Sequence, residues 1–93
     1  MTTQIVQAIL NHAPGDKRSY GIDFVDELNG QAIISAVWAS SGLTKSVETI
    51  EGTKAELYLA GGVDNTEYVV SCTITTDANE IFTRSILLVC REL

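Results

Sequence analysis

Ninety-three residues, 45% of them apolar and 19% charged, make one domain with a single core and little material for a deep pocket. The net charge is −6, and of six basic residues only Lys17 and Arg18 are adjacent, which argues against nucleic acid as a partner because phosphates need clustered cations. No stretch is long and apolar enough to cross a bilayer, so no membrane partner is expected, and the start lacks the basic and apolar runs of a leader.

The first segment, "QIVQAILNHAPG", is ambiguous. Ile5, Val6, Ile9 and Leu10 fit one helical face, yet Pro14-Gly15 ends the run after barely three turns. Residues 1–14 are read either as an arm that orders on a partner or as a first strand closing the protein's own sheet. Residues 15–93 are read as one β domain.

In "YGIDF", Tyr20, Ile22 and Phe24 share a side. Around them crowd Asp16, Lys17, Arg18, Asp23, Asp26 and Glu27, the pattern of a solvated strand edge. "QAIISAVWAS" is a further strand ending on the single tryptophan, Trp38, which is expected to fill the space between two sheets. A short strand follows around Lys45 to Ile50, then a turn at Glu51-Gly52. In "AELYLAGG", Ala55, Leu57 and Leu59 face inward while Glu56 and Tyr58 face outward.

The last two runs alternate most clearly. Tyr68, Val70, Cys72 and Ile74 form one row, against Val69, Ser71, Thr73 and Thr75; Ile86, Leu88 and Cys90 form another, against Ser85, Leu87, Val89 and Arg91. "TDANE" closes them into a hairpin. A turn near Ala78 and Asn79 places Cys72 opposite a residue near Ser85 and Cys90 opposite one near Glu67, beyond disulfide reach. Both cysteines therefore read as reduced, small core residues. Seven or so short strands with turns between them predict an all-β fold, an immunoglobulin-like antiparallel β-sandwich.

The residues offer little chemistry. His12 stands in no motif and reads as a loop or surface histidine, and no base lies beside a nucleophile. Asp64, Asn65, Asp77, Asn79 and Glu80 lack the spacing of a calcium loop and read as turn formers. One histidine and two strand cysteines do not make a zinc site. No catalytic residue, metal or cofactor is expected.

One family fits the order of these pieces. Pro14, the strand with Tyr20, Ile22, Asp23 and Phe24, the Ile33 to Trp38 interval, the loop of Leu59, Gly61 and Gly62, and the hairpin carrying Tyr68, Thr73 to Thr76 and Arg84 resemble small immunoglobulin-like virion proteins. These occur among tailed-bacteriophage and prophage structural genes and are labelled fibre-tail adaptor proteins. The resemblance implies a non-enzymatic virion protein, made in the host cytoplasm and joining tail and tail fibre. It implies contacts with other phage proteins in a symmetric multi-copy assembly. Alternatives are a capsid decoration (cement) protein and a carbohydrate-binding module for the host surface. Candidate partner-binding residues are Ile5, Val6, Ile9 and Leu10 in the opening segment, and Tyr58, the outward aromatic.

Overall fold

Two-residue alternation, broken by Gly, Asn and Pro, divides the described residues into seven strands and one helical turn. The computed structural model describes residues 6–91. The strands are β1 (Val6–His12), β2 (Lys17–Asp23), β3 (Ile33–Ala39), β4 (Thr44–Glu51), β5 (Lys54–Ala60), β6 (Thr66–Thr76) and β7 (Ile81–Cys90). The turn α1 (Val25–Leu28) lies between β2 and β3.

Two sheets form, one in the order β1-β7-β6-β3 and the other β2-β5-β4. The apolar rows meet between them. Phe24, Trp38, Leu57, Leu59, Ile74 and Leu88 are all buried, with Trp38 only 2% exposed. The immunoglobulin-like sandwich read from the sequence is therefore the fold. One pair departs from the antiparallel rule: β1 runs parallel to β7. A parallel pair needs a long crossover, and here nearly the whole chain lies between the two strands.

The β6–β7 hairpin pairs Thr66 with Cys90 and Thr75 with Ile81, so Cys72 faces Arg84, beside Ser85, and Cys90 faces Thr66, beside Glu67, as the turn position led one to expect. The turn itself fixes this register. Thr76 Oγ1 accepts the N–H groups of Ala78 and Glu80, and Asn79 takes a left-handed φ of 63°, centring the loop on Ala78. Cys72 and Cys90 are both free.

Two edges of the sandwich are irregular. In β3 a bulge leaves Ile34 unpaired and 59% exposed. In β4 the register shifts between Ser46 and Thr49, and Val47 sits at φ 50°, a rare conformation for a β-branched residue. Between these edges, Lys45 Nζ donates to the carbonyl of Trp38 at 2.7 Å. Bulges and lysines at sheet edges oppose the addition of foreign strands.

Candidate functional site

His12 is the only imidazole, and the structure corrects its expected place: it is buried, with 1% exposure. Two local features put it there. Pairing of β1 with β7 sets His12 opposite Cys90, and the tight turn from Ala13 to Asp16 folds the chain back so that β2 brings up Tyr20. His12 Nδ1 and Tyr20 Oη share a buried hydrogen bond of 2.7 Å. The His12 carbonyl accepts the N–H of Arg91, which ties the end of β1 to the end of β7. His12 Nε2 is buried with no partner among the described residues. Burial, foremost, raises the Tyr20 hydroxyl above its ordinary pKa.

Both thiols are also enclosed. Burial, with a smaller contribution from Glu48, pushes Cys72 up to about 12. Burial, then Asp64, also raises Cys90. The Cys90 thiol is directed at the Gly61 carbonyl, 4.0 Å away, although His12 is its neighbour across the sheet. A thiol kept protonated in the core is a poor nucleophile.

The acidic cluster of the second strand is occupied with shaping the chain. Asp23 Oδ1 accepts the N–H of Val25 at 3.0 Å and the Thr53 hydroxyl at 2.8 Å, while Phe24 N–H bonds to the Thr53 carbonyl. Asp23 thus begins α1 and binds it to the β4–β5 turn, although it is exposed as expected of an edge residue. Glu27 reaches Arg84 Nε at 3.4 Å, joining α1 to β7. Leu28, buried, closes that end of the core. Among the described residues, no three His, Cys, Asp or Glu side chains group as a metal site requires.

At the opposite end, Tyr68 stands near the start of β6. Its hydroxyl accepts the N–H of Val63 at 2.9 Å, five residues upstream in the β5–β6 loop. This is the tyrosine corner found in immunoglobulin-like sandwiches. Two glycines make room for the ring. A Cβ on Gly42 would lie 2.6 Å from Tyr68 Cε1; one on Gly62 would lie 2.8 Å from Cys90 Sγ and 3.4 Å from Tyr68 Cε2.

The outsides of the two sheets differ in kind. The β2-β5-β4 sheet presents Lys17, Asp23, Glu51, Lys54 and Glu56 in its outward rows, with Tyr58 at 40% exposure and Lys17 Nζ 5.7 Å from its ring centre. Tyr58 therefore faces outward in a charged surface. The β1-β7-β6-β3 sheet carries one charge, Glu67, in the outward rows of β3, β6 and β7. Its hydroxyls pair with each other, Ser71 with Ser85 at 2.8 Å and Thr73 with Thr83 at 2.9 Å. Val37 and Ile81 project from it, 64% and 66% exposed.

The other sequence candidates fall at the chain's beginning. Ile5 lies outside the described residues. Val6, Ile9 and Leu10 are backbone members of β1, at register positions opposite Ser85, Leu87 and Leu88. The structure thus gathers these three on one edge strand and leaves Tyr58 on the other sheet. Sequence reading overlooked the uncharged sheet face, although its signal was present: the row Val69, Ser71, Thr73, Thr75 has no ionisable group.

Comparison with known sequences matches residues 12–89 to the family described as "Podophage GP4 fiber-tail adaptor protein gp77". Comparison with curated proteins finds no match. Among solved structures, the PKD domain from KIAA 1837 protein is similar, with a TM-score of 0.55 and 22% identity, over 94% of this chain and 81% of that one. The 2,6-sialyltransferase of Photobacterium sp. JT-ISH-224 is also similar, with a TM-score of 0.55 and 12% identity, over 99% of this chain but 19% of that one. At such identities the likeness is one of fold.

Proposed function

The chain belongs to the podophage GP4 fiber-tail adaptor protein gp77 family, and from that premise we propose that it is a non-enzymatic structural adaptor joining tail and tail fibre through protein–protein contacts. The observation that carries this reading is the extent of the family match, which takes in β2 to β6 entirely and almost all of β7. The chemistry supports it. The imidazole and both thiols are enclosed in the core, and Asp23 and Glu27 hold local structure, so the reactive groups are committed to the fold. As a phage adaptor the chain is a component of the virion.

Contacts with tail or fibre subunits are assigned to the opening segment, with Ile5, Val6, Ile9 and Leu10, and to Tyr58. Tyr58 offers a flat, amphipathic surface of the kind enriched at protein interfaces. Repetition around the tail axis multiplies contacts that are individually weak. The host cytoplasm is the proposed site of synthesis.

Copy number in purified particles, measured by quantitative mass spectrometry against the major capsid protein, tests the reading. An adaptor at the tail gives on the order of tens of copies per particle. On the order of hundreds would make the protein a capsid decoration instead. Absence from particles would overturn both.

A further inference from the structure

β2 is an outermost strand of the β2-β5-β4 sheet, and one hydrogen bond fixes which of its backbone groups face outward. Phe24 N–H donates to the Thr53 carbonyl, and these two residues continue the register in which Asp23 lies opposite Lys54. Along an antiparallel pair, residues that exchange backbone bonds alternate with residues that do not. Arg18, Tyr20 and Ile22 therefore bond to β5, whereas Lys17, Ser19, Gly21 and Asp23 turn their N–H and C=O groups away from it. Among the described residues, no backbone group meets Ser19 or Gly21 on that side. A groove lined by Asn11, Arg18, Ser19, Tyr20 and Gly21 leaves room beside the strand. The other three edges are irregular: β1 and β3 carry register shifts, and β4 carries a shift with the left-handed Val47. β2 runs from Lys17 to Asp23 with no shift.

We propose that a second copy of this chain adds to β2 edge to edge, antiparallel about a twofold axis at Tyr20, so that the two β2-β5-β4 sheets become one. Around that axis Ser19 lies opposite Gly21 of the second copy, and Lys17 lies opposite its Asp23. Both pairings join residues whose backbone groups point outward, so each edge supplies the donors and acceptors that the other lacks.

Charge selects the register. Lys17 and Asp23 are exposed and share the outer row, so the ammonium of each copy meets the carboxylate of the other, once on either side of the axis. Val25 N–H and the Thr53 hydroxyl both bond to Asp23 Oδ1, which holds that carboxylate in place for the contact. A slip of two residues sets Lys17 against Gly21 or Val25, and Asp23 against Gly15 or Ser19, and both ion pairs are lost. A slip of one residue sets outward backbone groups against groups already bonded to β5. A lysine on an edge strand deters foreign strands. Here the same lysine is matched by a strand carrying an acid six residues on, as β2 itself does.

Amide hydrogen exchange read by NMR at about 20 μM and about 1 mM tests the pairing residue by residue, over the range where weak interfaces form. Ser19 and Gly21 should exchange freely in the dilute chain and slow about threefold or more in the concentrated one. Arg18 and Tyr20, bonded to β5, should be slow in both. Sedimentation equilibrium over the same range should show a mass rising toward dimer. Ser19→Pro removes an outward N–H while keeping the bonds to β5, and should leave a monomer. Lys17→Glu sets like charges together in both pairs and should weaken the dimer about tenfold. Adding Asp23→Asn, which keeps an oxygen for Val25 and Thr53, should restore part of that loss. Ile81→Glu, on the other sheet, should leave association unchanged, and circular dichroism checks that each variant folds. A chain still monomeric at about 1 mM overturns the pairing. So do Ser19 and Gly21 amides that are already slow in the dilute chain, or a dimer indifferent to Lys17→Glu. The edge pairing does not depend on the adaptor reading: a dimer absent from particles would sink the adaptor and leave the edge contact standing.

Discussion

Tyr68 Oη accepts the backbone N–H of Val63 at 2.9 Å, and the ring that delivers it is enclosed by Gly42 and Gly62. This relationship joins the β3–β4 loop, the β5–β6 loop and the start of β6 at one end of the sandwich. Gly42 and Gly62 hold φ values of 87° and 103°, left-handed backbone that a side chain disfavours.

Tyr68→Phe removes one hydrogen bond in an exposed loop and should cost about 1 kcal/mol. Gly42→Ala and Gly62→Ala should each cost more, about 2–4 kcal/mol, because backbone strain and overlap with Tyr68 or Cys90 act together. Urea unfolding followed by the fluorescence of Trp38, the single tryptophan, measures all three. If the glycine variants were as stable as Tyr68→Phe, the close packing of the corner would be disproved.

The His12–Tyr20 hydrogen bond is buried, so removing one partner should be worse than removing both. Tyr20→Phe leaves His12 Nδ1 unpaired in the core and should cost about 1–3 kcal/mol. In the double variant His12→Leu/Tyr20→Phe the two effects should be less than additive, since no buried polar group is then left waiting for the other. A double-mutant cycle showing simple additivity would mean that the two side chains are not coupled.

The two thiols give stability a defined alkaline limit. Cys72 titrates at about 12 in the folded chain against 9.0 for a free thiol, and Cys90 and Tyr20 are raised as well. A raised acid group binds its proton more tightly when folded, so its contribution is complete below the unfolded pKa and disappears as pH climbs through the folded one. Stability should therefore hold to about pH 9 and fall toward about pH 12. Cys72→Ala should flatten part of that fall while lowering stability at neutral pH through the cavity it leaves. Denaturation midpoints measured from pH 7 to pH 11 give the slope; an unchanged slope in Cys72→Ala would assign it to other groups.

Much of the strand content was legible because alternation is a local property. Leu57 and Leu59 inward with Tyr58 outward follows from the pleat of a single strand, whatever its neighbours. The hairpin was legible from its turn cluster; its register is fixed by Thr76 Oγ1 and the left-handed Asn79, which decide how the turn is centred. Of the candidate contacts, only the outward orientation of Tyr58 could be read this way, since β1 takes its place from a strand at the other end of the chain.

The amino-acid order by itself determined a small acidic β-sandwich, its inward rows, its free cysteines and the motif order of a phage adaptor family. Those properties depend on neighbours two residues apart or on patterns along the chain. The tertiary structure alone decided that His12 is buried, that Arg84 reaches Glu27, and that the outward rows of β3, β6 and β7, with Glu67 their one charge, lie side by side. Each of these needs residues far apart in sequence to meet. Such meetings are set by which strands become neighbours, a choice made by the burial of the whole core and not by any one segment.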